Sequence, residues 1–352
     1  MSTPGNTLEF SRATSVNSTL LPIEPWMTDP EITEVCINRP GEVFVERGSR
    51  WERHECPALT LSHLAGLAVA VAKFSNNQDI NENSPILSAM LPKNERIQIV
   101  RPPACEPGTY SITIRKPSSM ARSLEDYKKA GFFDHVRPAT TDLTPGEHEL
   151  KRLHAAGDYL GFLRAAVKQD KVIVVAGETG SGKTTLMKAL MQEIPTEQRL
   201  ITIEDTPELF LPSHPNHVHL FYPAGAKEDD PVNAAVLLKS CLRMKPTRIL
   251  LAELRGGETY DFLNVAASGH AGSITSCHAG SCDLTFERLA LMVQQNRQGR
   301  ELPFEAIRRL LYLLIDVVMH VTNDITGDFG RHITEIWFQP ERKRLAMAGH
   351  GQ

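Results

Sequence analysis

The segment Gly177-Glu178-Thr179-Gly180-Ser181-Gly182-Lys183-Thr184-Thr185 fits the spacing G-x-x-x-x-G-K-[ST]. Its chemistry is phosphate binding. Gly177, Gly180 and Gly182 allow backbone conformations that turn successive N–H groups onto phosphate oxygens. A helix starting near Lys183 adds free N–H donors and the positive end of its dipole. Lys183 is expected to reach the β- and γ-phosphates, and the Thr184 hydroxyl to coordinate Mg²⁺. ATP and Mg²⁺ are therefore the expected cofactors, held along Gly177–Thr185.

A phosphate cradle needs acids, and two strand-like runs end in them. Ile201-Thr-Ile-Glu204-Asp205 closes on two carboxylates, and Ile249-Leu-Leu-Ala-Glu253 on one. In an open α/β sheet the ligand lies beyond the carboxyl ends of the strands. Glu204, Asp205 and Glu253 would then face the phosphates, one helping to hold Mg²⁺ and another activating water. His270 and His278 flank a short strand-like run, and an imidazole can donate to a γ-phosphate. His214, His217 and His219 lack acid or Cys partners at metal-ligand spacing and read as structural.

These groups require a particular scaffold. Apolar runs at 172–176, 200–203, 249–252 and 273–276 read as strands. Helical patterns at 184–194, 232–244, 258–268 and 284–295 alternate with them. Such alternation implies βαβ units and a mostly parallel sheet, with late strands at 316–321 and 332–338 forming a closing hairpin. Upstream, 42–47, 96–100 and 110–114 read as strands and 61–74 as a buried helix, a mixed α+β pattern. The stretch 117–147 turns to Pro, Ser, Thr and charge, with Pro117, Pro138 and Pro145, and holds one short helix near 124–130. The expected organisation is a flexible tail at 1–20, an α+β N-terminal domain at 21–116, a linker at 117–148 that acts as a hinge, and an α/β domain at 149–352.

Composition narrows the function class. The chain has 352 residues with 38 Lys+Arg against 42 Asp+Glu, a formal net charge of −4. Aromatic residues are only 6%. Neither value suits the basic, aromatic-lined groove of a nucleic-acid translocase or helicase, which is the alternative function for such a core. A scaffold that binds ATP only to assemble is a further alternative. No apolar run reaches the roughly 20 residues that span a bilayer, and the first twenty residues carry no secretory pattern. The six cysteines form no Cys-x-x-Cys pair and read as reduced thiols. A cytoplasmic location is expected, and peripheral attachment to a membrane face is compatible with it.

The order GETGSGKTT, ITIEDTPEL, LRMKPTRILLAELRGGETYDFL and SGHAGSITSCHAG resembles the secretion (traffic) ATPases, on the branch serving bacterial type IV secretion and conjugation. The similarity runs from about residue 112 to 321 and more loosely from 32. Type II assembly ATPases usually carry a four-cysteine zinc module, which this sequence lacks. The resemblance implies a homohexameric ring that powers substrate transfer and pilus assembly, with ATP between an N-terminal domain and a RecA-like domain. By the same resemblance, Glu204 and Asp205 fall in the acidic box where a carboxylate activates water. Glu253 matches the Walker B acid, and Gly269–His278 the histidine box. Arg115 matches an N-domain arginine that reaches nucleotide, and Arg243, Arg248 and Arg255 lie in the arginine-rich stretch. Lys245 stands where family members often have arginine, and lysine lacks the bidentate fork. Implied partners are other copies of the chain and inner-membrane components of the machine, including other ATPases and the coupling protein. No sequence-specific nucleic-acid contact is implied.

Overall fold

The computed structural model describes residues 4–117, 122–137 and 140–347. Two sheets organise them. The N-terminal one has six strands in the order β3-β2-β1-β6-β5-β4, formed by β1 (Ile32–Ile37), β2 (Gly41–Arg47), β3 (Arg50–Cys56), β4 (Ile86–Met90), β5 (Arg96–Val100) and β6 (Ser111–Arg115). Every pairing is antiparallel. Alternation then gives each strand two different faces. Val35, Ile97, Ile112 and Ile114 point to one side and build a core with helices α1 (Pro4–Leu20), α2 (Glu24–Thr28) and α3 (Leu61–Phe74).

The expected tail at 1–20 is, over its described part, helical. Val16 and Ile23 are buried, and Leu20 packs between them against the same core. That spacing of four and three is an apolar stripe in an otherwise polar stretch. The Thr19 carbonyl lies 2.8 Å from His63 Nε2 and fastens the segment to α3.

The expected linker contains helix α4 (Leu124–Lys129), capped by Ser123 and Asp126 in a reciprocal capping box. Pro138 lies outside the described residues. Helix α5 (Pro145–Ala155) starts before residue 149 because Thr144 and Glu147 form a second capping box. Glu147 is buried and meets Arg344 Nη2 at 2.5 Å, so the chain has joined the second domain by then.

The C-terminal sheet has the order β13-β12-β7-β11-β10-β8-β9. Its strands are β7 (Ile173–Gly177), β8 (Leu200–Glu204), β9 (His217–Phe221), β10 (Arg248–Leu254), β11 (Ile274–Cys277), β12 (Val317–Asp324) and β13 (Gly330–Trp337). All pairings are parallel except β12 with β13, the anticipated closing hairpin. Both faces are covered. Val172, Val174, Ile201 and Leu251 pack on α8 (Ala234–Cys241), α9 (Glu258–Ala267), α10 (Cys282–Val293) and α11 (Phe304–Leu314). Ile173, Val175, Leu200 and Leu250 pack on α5, α6 (Tyr159–Lys168) and α7 (Lys183–Gln192). This three-layer, doubly wound arrangement explains the near-continuous apolar strands.

The second face of the N-terminal sheet is polar and lies against the N-terminal ends of β8, β9 and β10. Arg199, at 0% exposure, is the centre of the joint. Its Nε donates to Met244 O at 2.9 Å, and its Nη1 to Asn38 Oδ1 at 2.7 Å and Asn216 Oδ1 at 2.5 Å. Gln98 Nε2 donates to Ser240 Oγ at 2.9 Å, and Lys245 pairs with Glu46 at 3.2 Å. Val100, Ala104 and Cys105 add a small apolar contact with the C-terminal core.

Candidate functional site

Strand β7 is buried throughout and delivers Gly177 to the sheet's carboxyl edge. Gly177 has φ +156°, and a Cβ there would come within 2.2 Å of the Val321 carbonyl oxygen on β12. Only glycine fits between the two strands. Gly182, at φ +100°, turns the chain into α7. Ser181 Oγ donates to Glu178 O at 2.8 Å and ties the loop to itself. Glu178, Thr179 and Thr185 are exposed, whereas Thr184 is half-buried at the start of α7.

Lys183 is 8% exposed. Its Nζ donates to Gly177 O at 3.0 Å and Glu178 O at 2.8 Å, and lies 3.4 Å from His278 Nδ1. Burial lowers its pKa. The ammonium is thus held inside the loop by the loop's own carbonyls.

Because β7, β11, β10 and β8 are parallel neighbours, their carboxyl ends lie side by side. His278 follows β11 and therefore falls between the phosphate loop and the end of β10. Its Nε2 is 2.7 Å from Glu253 Oε1. Glu253 Oε2 accepts from Arg255 Nε at 2.7 Å, and Arg255 Nη1 also pairs with Asp205. Lys183, His278, Glu253, Arg255 and Asp205 form one continuous chain of contacts. Although close to His278, Glu253 Oε1 is buried outside hydrogen-bonding geometry. A buried carboxylate oxygen without a bonded donor, joined through Arg255 to Asp205, fits a hydrated Mg²⁺ or a proton from water.

Three expected residues take no part in that chain of contacts. Glu204 is fully buried, and its carboxylate is saturated. Oε2 accepts the backbone N–H groups of Glu208 and Leu209, each at 2.7 Å, and Oε1 accepts from Thr202 Oγ1 at 2.8 Å. It shapes the 205–209 turn instead of meeting water. His270 precedes β11 and sits at the opposite end of the sheet from His278, near Pro246; burial lowers its pKa. The two histidines flank one strand, so they mark its two ends.

Arg115 closes β6 and meets Glu34 at 3.7 Å. It lines a cavity of about 700 Å³ with Arg96, Arg243 and Lys245, on the side where β10 begins. At about 3.3 Å per residue, a strand of β10's length separates that cavity from the phosphate loop by roughly 20 Å. Register pairs Arg96 with Arg115, Arg115 with Glu34 and Glu34 with Glu46, a row of two cations and two anions across four strands. Two arginines directly opposite each other repel, which an added anion relieves. Burial pushes the Glu34 pKa up to about 7. Arg248 is buried at the start of β10 against Asp170 and acts in packing.

His214, His217 and His219 are each engaged: with Ile194 O, with His214 O and with Thr202 Oγ1. Arg331 on β13, whose Nε donates to Gly180 O at 3.0 Å, escaped the sequence reading. A single arginine on an edge strand carries no motif, and only the strand order brings it to the loop.

The family model described as "Type II/IV secretion system protein" matches residues 17–323. The chain is 68% identical over 343 residues to the type IV secretion system protein VirB11 of Brucella abortus, covering 97% of this chain and 94% of that one. It is 45% identical over 329 residues to the type IV secretion system protein PtlH of Bordetella pertussis, covering 93% and 96%. The crystal structure of the VirB11 ATPase from the Brucella suis type IV secretion system, in complex with sulphate, superposes with a TM-score of 0.92 at 67% identity, covering 97% of this chain and 99% of that one. The ordered motifs and the fold agree with these likenesses, and the chain belongs to the type II/IV secretion system protein family, on its branch of type IV secretion ATPases.

Proposed function

We propose that this chain is the Mg²⁺-ATP-hydrolysing motor of a type IV secretion apparatus, working as a homohexameric ring. The carrying observation is the separation of the site's parts. The phosphate loop, Glu253 and His278 lie at one end of the C-terminal sheet, and Arg96, Arg115, Arg243 and His270 at the other. A nucleotide on one protomer can meet both sets only if the second set comes from a neighbour. Ring closure places each basic cavity over the next phosphate loop.

In this reading Lys183 leaves the Gly177 and Glu178 carbonyls for the phosphates. Thr184 and Asp205 would hold Mg²⁺, which supplies charge neutralisation at the β- and γ-phosphates when bound. Glu253, with its unbonded buried oxygen, accepts the proton of the attacking water. Arg255 holds Glu253 and Asp205 in place, and His278 links Glu253 to Lys183. The neighbour's arginines stabilise the charge developing on the transferred phosphoryl group. Membership of the secretion family supports inner-membrane components of the machine as partners, other ATPases and the coupling protein among them. No described helix is long and apolar enough to cross a membrane, which is compatible with a cytoplasmic ring resting on the inner membrane face.

The test is complementation. Lys183→Ala and Arg115→Ala proteins should each be inactive, and mixing them under exchange conditions should restore part of the ATPase rate. A mixture as inactive as its components would refute the shared site.

A further inference from the structure

The phosphate loop has a neighbour that the family motifs do not include. Arg331 stands on β13 opposite Asn323 of β12, and β12 pairs directly with β7 through Val321 and Gly177. The hairpin therefore rides beside the loop. Arg331 Nε donates to Gly180 O at 3.0 Å, and a Cβ on Gly182 would lie 3.4 Å from Arg331 Cδ. The side chain crosses the loop from Gly182 to Gly180, over the amino end of α7.

This is an unfavourable place for a lone cation. The amino end of a helix carries partial positive charge, and arginine is favoured at the other end. Among the described residues, no carboxylate pairs with Arg331, and its two terminal nitrogens have no hydrogen-bond partner. Nε alone is used. An exposed arginine free of structural duties would turn towards solvent or the nearest acid. Here one guanidinium edge is anchored on a backbone carbonyl, while the other keeps its donors free beside a loop built for anions.

We infer that Arg331 is a further nucleotide-binding residue, anchored by Nε on Gly180 O and donating through its terminal nitrogens to the α- or β-phosphate of a nucleoside di- or triphosphate. The α/β assignment follows from position. The loop backbone between Gly180 and Gly182 cradles those phosphates, whereas the γ-phosphate lies inward, towards Lys183 and the strand-end acids. A guanidinium fork can bind a phosphate oxygen pair that lysine would contact as a point charge. The inference rests on the phosphate-loop reading of Gly177–Thr185 and deepens it.

The experiment measures equilibrium binding of a fluorescent ADP analogue, competed with unlabelled ADP and ATP, on the full chain. Steady-state ATPase kinetics and melting temperature accompany it. Arg331→Ala should weaken ADP and ATP by the same factor, about tenfold or more, as expected for one charge-assisted hydrogen-bonded contact. The kinetic loss should appear mainly in KM. Arg331→Lys should recover part of the affinity, and both variants should melt like the parent. Unchanged affinities in Arg331→Ala would overturn the inference, as would weakening confined to ATP, which would move the contact to the γ-phosphate. A loss of affinity that tracks a lowered melting temperature, with no recovery in Arg331→Lys, would overturn it in favour of a structural role. Lys183→Ala is the reference. If it binds both nucleotides normally, the phosphate-loop reading itself fails; if it binds neither while Arg331→Ala binds both normally, only the role of Arg331 fails.

Discussion

Replacing Glu204 separates a structural carboxylate from a catalytic one. Its Oε2 holds two backbone N–H groups at 2.7 Å in a fully buried site. In Glu204→Ala both donors lose their partner. Leaving a buried donor unsatisfied costs about 1–3 kcal/mol, so the pair costs roughly 2–6 kcal/mol. At about 2–4 °C per kcal/mol for a domain of this size, the melting temperature should fall by roughly 4–24 °C. Glu204→Gln keeps an oxygen for the two N–H groups and can turn its amide to Thr202 Oγ1. It loses only charge assistance, about 1 kcal/mol, and should keep most of its turnover. Glu253→Gln should do the reverse: it should melt near the parent temperature, bind ATP and lose at least about a hundredfold in hydrolysis, the scale of a lost general base. The assay is thermal melting beside phosphate release for the three variants. A Glu204→Gln protein with the parent's melting temperature and no turnover, beside an active Glu253→Gln, would refute this division of roles.

Two further outcomes follow from burial and backbone geometry. Burial raises the Glu34 pKa to about 7, with Lys245 and Arg115 opposing the shift and Glu46 adding to it. A carboxyl whose folded pKa is raised gives stability that is complete below its unfolded pKa and is lost as pH rises through 7. Glu34→Gln should therefore gain on the parent between pH 5 and 8, by about 3 kcal/mol at the upper end, read as the difference between the two melting-temperature profiles. Parallel profiles would count against a buried, uncharged Glu34. Gly177→Ala drives a methyl into the Val321 carbonyl at φ +156° and should both lower the melting temperature and abolish nucleotide binding. Normal binding by that variant would mean that β7 and β12 can separate.

The scaffold was legible where its pattern was local. The phosphate loop, the alternating strands and helices of the C-terminal domain and the closing hairpin all follow from runs of residues that carry their own period. Helix α3 and strand β5 lie at the anticipated positions for the same reason. Strand β3, Arg-Trp-Glu-Arg-His-Glu-Cys, has no apolar alternation because its exposed edge needs none. Helix α1 was hidden because its apolar stripe is short. At the site, motif order located Lys183, Glu253 and His278. It could not tell that Glu204 turns inward, because two acids in succession point to opposite sides and only the following turn decides which one is capped. Nor could it separate His270 from His278 without counting strand length, or place Arg115, whose position depends on how two domains meet.

The joint around Arg199 bears on how force could pass through the molecule. Apart from the apolar contact at Ile86, Val100, Ala104 and Cys105 and the Trp51 ring against Arg199, the two domains meet largely through directional bonds, and each has a core of its own. An oily seam slides by degrees, because dispersion contacts exchange freely along it. A seam of amides and the guanidinium groups of Arg199 and Arg39 has few registers in which every donor is matched, and the states between them carry unmet polar groups. Such a joint would act as a detent, yielding only where its polar bonds break together. A machine that must convert a chemical step into a displacement of fixed size gains more from a click than from a spring.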